Sequence, residues 1–91
     1  MKSIVQEAKC CYLCGSTYNL ECHHIIFGTA GRKIADKLGL KVWLCADHHR
    51  GNVSPHRDRN IDLQLKRLAQ TCYEAKHTRE EWMERVGRNY L

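Results

Sequence analysis

Two segments of the chain end in paired histidines, and each lies beside residues with the spacing of metal ligands. Residues 21–24 (Glu-Cys-His-His) follow a Cys-x-x-Cys pair, Cys11 and Cys14, and residues 44–49 (Leu-Cys-Ala-Asp-His-His) contain a Cys-x-x-His pair, Cys45 and His48. Zinc prefers thiolate and imidazole ligands. A neutral imidazole can also accept a proton from water near pH 7. These residue types indicate a metal site beside a proton-accepting base.

The first candidate site is a structural zinc site. Such sites take four tetrahedral ligands, often as two pairs, and Cys11, Cys14, Cys45 and His48 supply them. The pairs are separated by about thirty residues, longer than the ~12–20 of ordinary zinc fingers, so a segment has been inserted between them. Cys10 is an alternative to Cys11. Unmetallated core thiols or disulfides are the alternatives to zinc.

Size and composition agree with a metal-stabilised domain. A chain of 91 residues with six cysteines makes one domain whose core alone is marginal, and such domains usually need disulfides or a structural metal. The N-terminal residues lack the apolar run of a signal peptide, and no stretch is apolar enough to span a membrane. We therefore expect a cytoplasmic protein with reduced thiols and no membrane partner.

Charge indicates the class of partner. The formal net charge is +5 and the pI about 9.0, which suggests a polyanion, most often nucleic acid. Because acidic residues are interspersed throughout, a merely soluble surface is the alternative.

The candidate ligands must be positioned by secondary-structure elements. The sequence predicts that these form an α+β domain, a small hairpin module followed by two helices. We expect strands at 17–24 and 40–45, a short helix at 32–38 ended by Gly39, and a helix beginning near His48 that Gly51 shortens. A longer helix starts near Asn60 and carries an apolar stripe on Ile61, Leu65, Leu68 and Cys72, with Gln64, Lys66, Arg67 and Gln70 off the stripe. Thr78 begins the last helix, which ends at Gly87, through a capping box with Glu81.

The histidines that remain after zinc has taken its ligands include His23, His24, His49 and His56. Neighbouring residues on a strand point to opposite sides. One member of the 23–24 pair can therefore face a metal ion while the other faces a water molecule. The alternatives are that both bind zinc or that both are polar strand ends.

At these residues the chain resembles the HNH endonuclease superfamily, the ββα-metal or His-Me finger nucleases, and most closely the small phage and prophage HNH proteins with a zinc knuckle. The family pattern runs Cys-x-x-Cys, then a His-His-Ile or Asp-His-Ile strand, then Leu-Cys-x-x-Cys-His. It appears here at residues 11–14, 21–28 and 44–51. The resemblance covers about residues 10–57 and implies one HNH domain over residues 1–91, with C-terminal helices at about 60–87.

The resemblance implies a metal-dependent endonuclease that hydrolyses DNA phosphodiester bonds. His24 matches the general base, and His23, His49 and His56 match or resemble ligands of one catalytic divalent ion. The structural zinc ligands become Cys11, Cys14, Cys45 and His48. Three imidazoles favour Zn²⁺, Ni²⁺, Co²⁺ or Mn²⁺ over Mg²⁺, which prefers oxygen.

Two features depart from the family pattern. Leu40, Lys41 and Val42 stand where the family has its middle Asn, which orients the loop that carries the base. Gly51 stands where the helix of the ββα unit should continue. The second departure implies a distorted ββα unit or a short helix. The first favours the alternative function, a zinc-binding DNA-binding or scaffold module whose nuclease site is degenerate.

Several basic side chains flank the site segments and can hold phosphates: Arg32, Lys33, Arg50, Arg57 and Arg59. Arg50 and Arg57 adjoin candidate ligands and are the preferred phosphate contacts. DNA is the expected partner, with no small-molecule cofactor. The sequence leaves open a homodimer, a phage packaging partner and the target sequence.

Overall fold

The computed structural model describes residues 1–91, and its elements form a mixed α+β domain with one two-stranded antiparallel sheet and four helices. The elements in chain order are β1 (Leu20–His24), α1 (Thr29–Leu38), β2 (Lys41–Cys45), α2 (Ala46–Arg50), α3 (Arg59–Glu74) and α4 (Arg79–Arg85). The predicted class and element order are therefore confirmed at this level.

The hairpin has one buried face and one partly exposed face. His23 lies opposite Val42 and Glu21 opposite Leu44, while His24 lies opposite Lys41. Val42 and Leu44 are fully buried. Because side chains alternate along a strand, Glu21 and His23 share the core face, and His24 points to the other side of β1.

The first strand is shorter than predicted. It begins at Leu20 rather than Thr17, because Asn19 has a φ of 51°, in the left-handed region that a strand does not tolerate. Tyr18 therefore lies outside the strand, and its side chain is exposed.

Helix α1 is inserted between the two strands and packs beside β1. It begins at Thr29, earlier than predicted, and ends at Gly39, whose φ of 75° is the left-handed cap expected there. The N-terminal segment packs along β2. Ser3 Oγ donates a hydrogen bond to the Lys41 carbonyl at 2.5 Å, and the Trp43 amide donates to Gln6 Oε1 at 2.7 Å. This segment therefore covers the outer edge of β2 without forming a helical turn.

Helix α2 contains five residues and ends at Gly51, as its sequence predicts. A Cβ at Gly51 would lie 2.3 Å from the Asp47 carbonyl oxygen, so only glycine fits the turn that follows. The next loop is held by Ser54, which is fully buried and donates from Oγ to the Gly51 carbonyl at 2.6 Å. This loop delivers His56.

Helix α3 buries a different stripe from the predicted one. Leu65 is buried as expected, but Ile61, Leu68 and Cys72 are only half-buried. The other buried positions of α3 are Asp62, Lys66, Ala69, Gln70 and Tyr73. Lys66 and Gln70 were predicted to lie outside the buried stripe, and this was wrong. Both are buried, because each has a polar partner. Lys66 pairs with Asp62, and Gln70 donates to Glu74 and Asn89.

The last helix begins as predicted. Thr78 Oγ1 accepts a hydrogen bond from the Glu81 amide, and the Glu81 carboxylate accepts one from the Thr78 amide. Trp82 is fully buried and packs against Tyr73, so α4 closes the core over α3. None of the helices combines the length and apolar character needed to cross a bilayer.

Candidate metal centres

Four side chains from distant parts of the chain form a Cys₃His cluster. Cys14 Sγ and Cys45 Sγ are 3.8 Å apart, and His48 Nδ1 lies 3.2 Å from Cys45 Sγ and 3.9 Å from Cys11 Sγ. Tetrahedral zinc with ordinary bond lengths places two sulfurs about 3.8 Å apart and sulfur and nitrogen about 3.6 Å apart. The cluster can therefore hold a structural metal ion such as zinc.

The backbone favours the thiolate form of one of these thiols, Cys11. Burial tends to raise the pKa of Cys11, but hydrogen bonds from the backbone of Cys45 and Cys14 outweigh it and lower this pKa to about 6. A thiolate is the form that binds metal. Cys10 lies outside the cluster, and its carbonyl accepts a hydrogen bond from Gln6. The alternative between Cys10 and Cys11 is thus decided for Cys11, and all six cysteines are free thiols.

A second cluster contains His23, His49 and His56. Their ring centroids form a nearly equilateral triangle with sides of 5.2, 5.0 and 5.1 Å, and one nitrogen from each ring lies within 4.8 Å of the others. Three protein ligands, which can all be imidazoles, with a fourth position free is the usual arrangement at catalytic zinc sites. The chain thus brings together the three histidines that the sequence assigned to one ion.

His23 is the residue that packing alone does not explain. It is 1 % exposed, and neither ring nitrogen has a hydrogen-bond partner. Leaving a buried polar group unsatisfied costs roughly 1–3 kcal/mol. Burial, helped by the neighbouring His49 and His56, lowers the pKa of His23 to about 3, so the ring is neutral and has a lone pair available. An unpartnered neutral imidazole facing two others fits a metal ligand.

Glu21 completes this cluster, although its role was not identified from the sequence. His49 Nδ1 donates to Glu21 Oε1 at 2.7 Å, and this hydrogen bond is the main cause that lowers the pKa of Glu21. Metal-binding histidines usually donate their second N–H to a carboxylate, which fixes the ring and leaves the other nitrogen for the ion. The alternation of Glu21 with His23 along β1 was the available signal.

Adjacent residues of α2 serve different clusters. His48 joins the cysteines, whereas His49 joins His23 and His56. Residues next to each other on a helix point about 100° apart, so α2 can only serve both clusters if it lies between them. The two clusters are therefore fixed relative to each other by one short element.

A cavity of about 400 Å³ opens beside the three histidines. Its wall also includes His24, Phe27 and Arg32. His24 Nε2 donates to Asp36 Oδ1 at 2.8 Å, and Asp36 Oδ1 also accepts from Lys41 Nζ at 3.1 Å. The predicted base and the predicted ion ligands thus line the same cavity, although His23 and His24 point to opposite sides of β1.

Three arginines that could contact phosphate, Arg32, Arg50 and Arg57, differ in their surroundings. Arg50 is held by Glu21, with Nη2 2.7 Å from Oε2, and Arg57 is exposed and does not line the cavity. Arg32 lines the cavity and forms no ion pair. Arg32 is therefore better placed than the two preferred arginines to meet an anion in the cavity.

Comparison with protein-family models, curated proteins and solved structures finds no match to the chain. Function is therefore inferred from the residues and geometry of the two clusters and the cavity.

Proposed function

We propose that the protein is a zinc-stabilised, metal-dependent endonuclease of the HNH, ββα-metal type that hydrolyses DNA phosphodiester bonds. The observation that carries this proposal is the buried, unpartnered His23, which forms a triangle with His49 and His56 at a cavity that also contains His24 and Arg32. The basic charge of the chain supports a nucleic acid as the substrate.

The two clusters divide the proposed roles. The Cys₃His cluster would hold a structural zinc ion, and His23, His49 and His56 would hold one catalytic divalent ion. That ion would supply positive charge beside the phosphoryl oxygens and the leaving oxygen. Three imidazoles favour Zn²⁺, Ni²⁺, Co²⁺ or Mn²⁺ over Mg²⁺.

The remaining side chains carry the other steps. His24 accepts a proton from a water molecule in the cavity, and the resulting hydroxide forms the new bond to phosphorus. The bond from phosphorus to the leaving sugar oxygen breaks, and that oxygen takes a proton from solvent. Arg32 contributes a guanidinium that can bind a non-bridging phosphate oxygen pair.

The decisive experiment is conversion of supercoiled plasmid by purified protein in Mg²⁺, Mn²⁺, Co²⁺, Ni²⁺ and Zn²⁺. We expect His24→Ala to reduce the cleavage rate by about 10²- to 10⁴-fold, the usual contribution of a general base. His77→Ala is the matched control, because His77 is exposed and pairs with Glu81 far from the cavity. It should cleave like the native protein.

Metal analysis separates the endonuclease from the alternative DNA-binding or scaffold module. The endonuclease predicts two ions per chain, and one after His23→Ala. DNA binding without cleavage in any metal, with one ion per chain, would establish the non-catalytic module. Cleavage that persists in His24→Ala would identify another base or a contaminating nuclease.

A further inference from the structure

The proposed function gives no role to the contact between His24 and Asp36. Asp36 lies on α1, the helix inserted between the strands, and His24 ends β1. The 2.8 Å hydrogen bond between them uses His24 Nε2 as the donor, because an ionised carboxylate only accepts. His24 Nδ1 has no hydrogen-bond partner in the protein and is not among the buried unpartnered atoms, so it is accessible to solvent.

We propose that Asp36 is a positioning residue that holds the His24 ring with Nε2 protonated and Nδ1 free to accept a proton from water. This inference rests on the proposed function. In the proton transfer, one water O–H bond breaks and an N–H bond forms at Nδ1, while the Nε2 proton stays in its hydrogen bond to Asp36. The carboxylate then faces the imidazolium that has formed.

Lys41 keeps Asp36 in the form that this role requires. Its Nζ lies 3.1 Å from the same Oδ1, and Lys41 is the residue opposite His24 in the sheet register. The hydrogen bonds from Lys41 and then from His24 hold the pKa of Asp36 below its usual value, so the side chain is a carboxylate at neutral pH. The Asp36 side chain is 57 % exposed, so its contact with His24 is not forced by close packing.

The arrangement also accounts for the missing middle Asn of the family pattern. In this chain the segment before Leu44 provides Lys41 rather than Asn. Lys41 acts on His24 through Asp36, so a residue of the inserted helix replaces one from the hairpin as the group that orients the base.

The first test is the protonation state of His24, which needs no substrate. Nitrogen-15 NMR at pH 8 on protein labelled at histidine should show Nε2 carrying a slowly exchanging proton and Nδ1 carrying none. In Asp36→Ala that proton should exchange fast and its signal should disappear. A protonated Nδ1 with a bare Nε2, or a signal unchanged in Asp36→Ala, would overturn the inference.

The second test is kinetic. Asp36→Ala should lower kcat by about 10- to 100-fold with KM within about twofold, because the effect is on the reacting water rather than on DNA binding. Asp36→Glu keeps the carboxylate and should recover most of the rate. Lys37→Ala, a change at an exposed position of the same helix, is the control and should leave kcat unchanged.

Two outcomes keep this inference distinct from the proposed function. If the native protein cleaves DNA and Asp36→Ala retains full kcat, Asp36 has no positioning role although the endonuclease stands. If the native protein does not cleave DNA in any metal, the endonuclease fails, and the NMR signal alone decides whether Asp36 fixes the His24 ring. Loss of an ion in Asp36→Ala would make the residue structural and would also overturn the inference.

Discussion

The two clusters of candidate metal ligands differ in how far the protein itself supplies hydrogen-bond partners for the ligand atoms. In the Cys₃His cluster, backbone hydrogen bonds support Cys11 and all four donors face one another. In the histidine cluster, His49 is oriented by Glu21 but both nitrogens of His23 are unpartnered, and a cavity lies alongside. The first arrangement is that expected of a closed structural metal site. The second is that expected of a site that would keep a position free for a substrate or water.

The largest expected effect is on stability and comes from a substitution in the Cys₃His cluster. Cys14→Ser should abolish the cooperative unfolding transition, because structural zinc sites provide about 10–16 kcal/mol, comparable to the whole stability of a domain. Cys14 is exposed, so its removal leaves no core cavity. Circular dichroism during thermal unfolding measures the effect, with Cys72→Ser as the control at a cysteine outside both clusters. A native-like transition in Cys14→Ser would remove the structural role of this cluster.

Glu21→Gln should affect only the histidine cluster. Loss of a carboxylate that orients a ligand typically weakens metal affinity by about 10- to 100-fold. Calorimetric titration of Co²⁺ into protein with one zinc bound would measure the change, and Glu80→Gln, at an exposed glutamate of α4, provides the control. Equal weakening at the cysteine cluster would show that Glu21 does not act through the orientation of His49.

His23→Leu should stabilise the protein after the ion at the histidine cluster has been stripped, by roughly 1–3 kcal/mol, because an unsatisfied buried imidazole is replaced by an apolar group. The gain should grow as pH falls. The folded-state pKa of His23 is about 3, below the ordinary 6.5, so protons bind the unfolded chain first. Native stability therefore declines from pH 6.5 downward, by at most about 1.4 kcal/mol per pH unit for this group.

Urea unfolding of the native protein and His23→Leu at pH 7, 6 and 5 measures this difference. The zinc cluster is common to both proteins, so its own pH dependence cancels. A difference that shrinks toward pH 5 would mean that His23 gains a partner on protonation and is not held as a neutral ligand.

The smallest expected effect is on KM for DNA, and it distinguishes Arg32 from Arg50. Arg32→Ala should raise KM for DNA by about 3- to 10-fold, as expected for loss of one phosphate contact. Arg50→Ala should change KM less, because Glu21 already holds Arg50. Lys37→Ala, at an exposed position of the same helix as Arg32, serves as the control for general charge. A larger effect of Arg50→Ala would restore the original preference for Arg50.

The sequence was sufficient for those parts of the site that depend on local spacing. Cys11 and Cys14 are near neighbours around a turn, and Cys45 and His48 lie on either side of the junction between β2 and α2. His23 and His24 alternate along a strand. The capping box at Thr78 and the stop at Gly39 are likewise local, and the structure confirms them. Activity, the catalytic ion and DNA binding stay predictions.

The parts that could not be predicted depend on how elements dock. Asp36 meets His24 only because α1 packs beside β1, and no spacing in the sequence reveals that contact. Asp62 and Lys66 are buried together, so a stripe defined by apolar residues alone misplaces the buried face of α3. The predicted first strand includes Tyr18, whereas the left-handed backbone of Asn19 delays the start of the strand to Leu20.

The five-residue helix α2 has a consequence for how the protein is assembled. A helix of this length is unstable in water unless something anchors it, and the anchor here is His48 in the cysteine cluster. Because His49 follows immediately, an ion in the cysteine cluster would lower the entropy cost of bringing His49 to its partners. We therefore expect ordered and cooperative loading, in which the thiolate site fills first and the affinity of the imidazole site then rises.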